Sequence, residues 1–210
     1  DSTSVRNMNT NFPNVAAVAN IMCEACHGPG QAHVNGGGNK KLIGVNSEAG
    51  SCMQCHDAPN KHRIGSYWAA SSHATMPLSG EEASRSSCWP CHNGDAFAKF
   101  AKNPSAPNYT GVEIVESISC VACHDPHSEA NPYQLRIVTR DKLANGYVVP
   151  AEVGGKGQLC MNCHRARTDN KVVVEMQKLV FRDRFYPHYS PQADMYLGTK
   201  SLLLDSELLQ

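Results

Sequence analysis

All ten cysteines and five of the ten histidines in this 210-residue chain fall into one arrangement, Cys-x-x-Cys-His, which occurs five times. The copies begin at Cys23, Cys52, Cys88, Cys120 and Cys160 and end at His27, His56, His92, His124 and His164. Two thiols at this spacing can add to the vinyl groups of one haem as thioethers, and the following imidazole then reaches the iron from the same side. The spacing therefore predicts five covalently bound haem c groups. They would be attached through Cys23 and Cys26, Cys52 and Cys55, Cys88 and Cys91, Cys120 and Cys123, and Cys160 and Cys163. Zinc sites, iron-sulfur sites and redox dithiols also use Cys-x-x-Cys. With histidine at 10 of 210 positions, chance would place one after a given pair roughly one time in twenty, and after all five less than about one time in a million. No cysteine remains for a disulfide framework or a separate catalytic thiol.

Subtracting the five proximal histidines leaves His33, His62, His73, His127 and His188, one for each motif. Six-coordinate haem iron takes a second axial ligand, and neutral imidazole is a common nitrogen donor. The matching counts predict bis-histidine ligation at every iron. His127 follows His124 by three residues, a span of at most about 10 Å, too short to round a porphyrin and reach its far face. It is expected to serve a neighbouring haem, and His33 and His62, each six residues past a proximal histidine, are expected to do the same. His73 lies fifteen residues before Cys88, on a loop long enough to wrap the third haem. His188 follows the last motif and could return to any haem or leave the subunit. Methionine is the competing axial ligand and would raise the potential. Met22, Met53 and Met161 lie in or beside motifs, where packing is the expected role, as gap filling is for Met8, Met76, Met176 and Met195.

The motifs spread over most of the chain, which predicts one pentahaem domain over 1–210. Motif spacings of 29, 36, 32 and 40 residues are too irregular for a solenoid. Aromatic content of 7% and a mean hydropathy of −0.40 leave little polypeptide core. Folding is thus expected to depend on haem attachment. The expected fold is mostly coil with short α helices wrapped around five covalently attached haems. Little β structure is expected beyond a hairpin near 141–150, signalled by Asn145-Gly146. Gly36-Gly37-Gly38-Asn39 reads as a flexible loop, Asp95 to Lys102 as a short helix ending before Pro104, and Asn170 to Arg184 as a further helix or strand.

The polypeptide has 19 basic and 19 acidic residues. Five haems with ionised propionates would add about −5 oxidised and about −10 reduced. That balance argues against nucleic acid or anionic lipid and favours a positively charged redox partner or a metal-ion acceptor. No stretch approaches the ~20 apolar residues of a membrane span, so no transmembrane segment is expected. Asp1 reads as the start of a mature chain whose signal peptide has been removed.

Beyond the motifs, the chain carries Cys26-His27-Gly28-Pro29-Gly30 with His33, Trp68 with Ser72-His73-Ala74, Cys123-His124-Asp125-Pro126-His127, and Pro187-His188-Tyr189-Ser190-Pro191-Gln192-Ala193-Asp194-Met195. In these segments, from about residue 21 to 198, it resembles the cytochrome c554-like multihaem superfamily, which includes pentahaem electron donors and extracellular cytochromes. The resemblance implies a periplasmic or extracellular protein. With five proximal histidines and five distal candidates no iron need be open, which predicts an electron carrier rather than an enzyme. Its partners would be redox proteins or an extracellular electron acceptor. A reductase of small nitrogen or sulfur oxyanions is the alternative and would need one open iron; the lysine-for-histidine motif of nitrite-reducing relatives is absent. The resemblance also implies a homopolymeric filament in which His33 or His188 is donated between subunits.

Overall fold

The computed structural model describes residues 10–16, 21–44, 48–57, 63–75, 85–104, 116–169, 172, 175 and 191–199. Contacts divide the chain into two compact units, Asp1–Ser71 and Ser72–Gln210. Both consist of short helices joined by coil, as the sequence predicts. Helices this short are marginal in water and depend on what they pack against.

The first unit contains α1 (Pro13–Ala16), α2 (Cys23–His27), α3 (Gln31–Asn35), a 3-10 turn (Lys40–Leu42), α4 (Ala49–His56) and α5 (Ile64–Ala69). Residues 36–39, read from sequence as a flexible loop, form hydrogen-bonded turns. Gly36 N–H donates to the Ala32 carbonyl, Gly37 N–H to that of Val34 and Gly38 N–H to that of His33, which satisfies carbonyls left over at the end of α3. Asp57 joins α4 to α5, accepting from Ser66 N–H at 2.8 Å and from the Ser66 hydroxyl at 2.9 Å. Its carboxylate thereby serves an otherwise unpaired donor in the first turn of α5.

The second unit contains α6 (Ser72–Thr75), α7 (Trp89–His92), α8 (Gly94–Lys102), α9 (Cys120–Cys123), 3-10 segments Pro132–Gln134 and Gly155–Asn162, and α10 (Gln192–Tyr196). The expected helix at Asp95 to Lys102 is α8. Its N-cap is Asn93, fully buried, whose side-chain oxygen accepts from Ala96 N–H at 2.9 Å. An i,i+4 ion pair joins Asp95 to Lys99 at 2.9 Å. Phe97 and Phe100 lie on one buried face and pack with Ala122 and Leu159, with Cys123 and Cys163 against the same cluster. A second cluster of Leu143, Val149, Met161 and Ala193 takes in Met161, two residues past Leu159 on the same 3-10 segment.

The hairpin is present, with an antiparallel bridge between Lys142 and Val148. Its turn is not the two-residue form. Gly146 N–H donates to the Leu143 carbonyl and Leu143 N–H to that of Tyr147, with Gly146 at φ +86°. This pattern is a type I turn closed by a glycine bulge, and only the residue after Asn145 needs the left-handed region. Between Asn170 and Arg184 only Val172 and Glu175 are described, both helical.

Candidate haem-binding site

Four of the five motifs coincide with an α helix: Cys23–His27 is α2, Cys52 to His56 ends α4, Trp89–His92 is α7 and Cys120–Cys123 is α9. The fifth lies at the end of the 3-10 segment Gly155–Asn162. Helical winding brings the histidine back over the first cysteine. His92, His124 and His164 N–H donate to the carbonyls of Cys88, Cys120 and Cys160 at 3.2, 2.9 and 2.9 Å. Residues i and i+4 share a helix face, so each imidazole lies on the side its thiols occupy. Cys23, Cys26, Cys55 and Cys160 are exposed, Cys52, Cys91, Cys120, Cys123 and Cys163 half-buried, and Cys88 buried.

Proximal imidazoles are oriented by backbone carbonyls. His27 Nδ1 lies 2.5 Å from the Gly44 carbonyl and His124 Nδ1 lies 2.7 Å from that of Tyr133. A carbonyl can only accept, so the proton sits on Nδ1 and the lone pair on Nε2, the nitrogen that would face a metal. The clamp on His27 is reciprocal, because Gly44 N–H also donates to the His27 carbonyl at 3.2 Å. A Cβ at residue 44 would stand 2.8 Å from that carbonyl oxygen, so only glycine approaches this closely.

The clamp on His124 carries backbone strain. Tyr133 and Gln134 both adopt left-handed angles, φ 59° and 56°, an unfavourable choice for residues other than glycine. Their two successive carbonyls thereby serve His124 Nδ1 and Asp125 N–H. Arg136 completes the turn, donating to Asp125 at 2.9 Å and to the Val121 carbonyl at 2.7 Å. Lys156 Nζ stands 3.9 Å over the Tyr133 ring, a cation–π contact.

Among the distal candidates, His33 has the same feature as the proximal ligands. Its Nδ1 donates to the Asn39 carbonyl at 2.9 Å, which leaves Nε2 free. His127 is exposed, with Nδ1 3.9 Å from Asp125. The His73 ring lies beside that of His164, centroids 5.8 Å apart. His62 and His188 lie outside the described residues, as do Met8, Met76 and Met176. Met53 packs against Gly65 and Met161 is in the second core cluster.

Motifs three, four and five converge in the second unit. The Cys91 and Cys163 thiols are close neighbours. Cys91 also lies 4.0 Å from the Asn162 carbonyl, and Cys163 lies 3.8 Å from that of Pro90. Burial, with the neighbouring Cys160 and Cys120 thiols, pushes Cys123 up to about 11. Beneath motif five, the Gln158 amide donates to the carbonyls of Pro150, Ala151 and Val153 and accepts from Arg140 N–H. Sequence reasoning missed these supports. Gly44, Asn39 and Tyr133 act through backbone carbonyls, which every residue has.

The residues fit a covalently held haem. Each motif brings two thiols and one imidazole to one helical turn, with Nδ1 of His27 and of His124 held by a backbone carbonyl. Among the described residues, no three His, Cys, Asp or Glu side chains converge on an ion site of their own. Ile21 and Met22 are 78% and 53% exposed beside Cys23, and Tyr196 is 67% exposed near Cys160, giving apolar surface that a porphyrin face can cover.

Residues 113–169, holding the fourth and fifth motifs, match the family model of the doubled CXXCH motif. The chain is 27% identical over 114 residues to the multiheme cytochrome MtrA of Shewanella baltica (strain OS185), covering 51% of this chain and 28% of that protein. It thus spans just over a quarter of that relative's length. No solved structure matches. The paired motif makes covalent c-type haem attachment the chemistry of this site, and the likeness is to multihaem c-type cytochromes.

Proposed function

We propose that the chain is a pentahaem electron carrier that passes electrons along closely spaced, bis-histidine, low-spin haems in respiratory or extracellular electron transfer. The observation that carries this reading is the meeting of Cys91 and Cys163 thiols, with Cys123 packed on the same cluster as Cys163. A haem held at each of these cysteines would place its attached edge near the next, and electron hopping depends steeply on edge separation. Bound haem supplies a one-electron ferric/ferrous couple at each motif. The chain's part is to hold the attachment points together, fix imidazole tautomers through Gly44 and Tyr133, and surround the rings with the Phe97 and Phe100 cluster.

A location in the periplasm or outside the cell is the reading that the likeness to a multihaem c-type cytochrome supports. Among the described residues no helix is long and apolar enough to cross a membrane. The acceptor side would be a redox protein or an extracellular acceptor drawn to a net negative holoprotein.

Quantitative low-temperature EPR of the oxidised holoprotein tests the reading, with a pyridine haemochrome count alongside. Five haems per chain, all low-spin, are expected. A high-spin ferric signal near one haem per chain would overturn it in favour of an open iron and a reductase of small oxyanions.

A further inference from the structure

Resting on the haem reading above, the geometry points to His73 as the distal ligand of the fifth haem, the one attached at Cys160 and Cys163 with His164 proximal. Chain proximity favours the third motif, which begins fifteen residues after His73. The structure instead brings the His73 ring to one 91 residues away.

Two imidazoles on opposite sides of one metal have a characteristic separation. Metal–nitrogen bonds of about 2 Å and the short step from Nε2 to each ring centre put the centroids about 6 Å apart. The His73 and His164 centroids are 5.8 Å apart, with planes inclined at 65°. Rings that share a nitrogen–metal–nitrogen axis can take any mutual twist about it, so this inclination suits axial ligation. The same separation and tilt also describe an edge-to-face ring contact, so what singles out the pair is that one of its members is a motif histidine and the other a histidine outside the motifs.

Both rings hang from fixed backbone. The His73 carbonyl accepts from Ile118 N–H at 3.2 Å, tying α6 to the segment before the fourth motif. The His164 carbonyl accepts from Ala193 N–H at 2.9 Å, tying it to α10. Cys160 and His164 open onto a crevice of ≈ 360 Å³ whose walls include Gly154, Gly157, Met161 and Tyr196, surface on which a flat ring can lie. His164 is half-buried and His73 exposed, so the imidazole from α6 is the one open to solvent.

EPR of the fully loaded holoprotein tests the assignment, using His73→Ala alone and combined with His164→Met. Imidazole planes far from parallel leave the iron's two π-type d orbitals nearly degenerate, so one native low-spin haem should show a strongly anisotropic signal. His73→Ala should remove that signal, convert one haem per chain to high-spin, and recover low-spin character with added imidazole. In the double variant the altered haem should still be one per chain, because both changes fall on one iron. If the His164 change prevents loading of the fifth haem, adding His73→Ala should remove no further low-spin signal. All haems remaining low-spin in His73→Ala, or two haems altered in the double variant, would overturn the assignment. A native high-spin haem would instead count against the electron-carrier reading and leave the pairing measurable on the others.

Discussion

Cys91 of the third motif and Cys163 of the fifth reach across to each other's motif, Cys91 Sγ lying 4.0 Å from the Asn162 carbonyl and Cys163 Sγ 3.8 Å from that of Pro90. The neighbouring Cys163 thiol brings Cys91 down to about 7 against the opposing effect of burial, with Arg165, Arg167 and Arg140 lowering it further, and Cys91 in turn raises Cys163. As thioethers neither sulfur titrates, yet the three guanidinium groups remain. This junction is therefore electropositive whatever the state of the sulfurs.

Positive charge favours the ferrous form. Replacing Arg165 by Gln removes one unit charge, worth ~1.7 kcal/mol at roughly 10 Å and an effective dielectric of about 20, or ~70 mV for one electron. A spectroelectrochemical titration should show at least one haem shifted downward by tens of millivolts. Unchanged potentials would place the haems of motifs three and five away from this junction.

Gly44→Ala drives a methyl into the His27 carbonyl and displaces the acceptor of its Nδ1 proton. An imidazole without that acceptor is a weaker donor to ferric iron. The first haem's potential should rise by tens of millivolts, with the remaining four unmoved.

Gln158→Leu keeps the volume but leaves the Pro150, Ala151 and Val153 carbonyls and Arg140 N–H without their partner. Gln158 is 2% exposed, so water compensates poorly. A loss of roughly 2–4 kcal/mol is expected, read as a lower denaturation midpoint of the holoprotein, while Gln158→Glu should lose more at neutral pH than in acid.

Asn93→Ala removes the side-chain cap of α8 at a fully buried position. The expected cost is about 1–2 kcal/mol. Because α8 packs on both α7 and α9, thermal melts followed at the haem absorption should shift down together with the far-ultraviolet signal.

Much of this was legible in the sequence because it is local. Cys-x-x-Cys-His has the period of one helical turn, Phe97 and Phe100 mark the buried face of α8, and Asn145-Gly146 marks the hairpin. What escaped is long-range or carried by the backbone. The turns at 36–39 depend on α3 offering carbonyls to successive glycine N–H groups, which composition alone reads as slack. Loop length linked His73 to the third motif, whereas the structure sets its ring beside His164, and no local pattern encodes an approach across 91 residues. The carbonyls of Asn39, Gly44 and Tyr133 act independently of their side chains.

Those carbonyls share one further property: each lies later in the chain than the imidazole it holds. Gly44 follows His27 by seventeen residues, Asn39 follows His33 by six and Tyr133 follows His124 by nine. A chain emerging N-terminus first presents cysteines and histidine together, with the imidazole still able to swing, before its latch exists. Ligand orientation is thus a late event at each of these positions, set by sequence that arrives only after the attachment chemistry has become available.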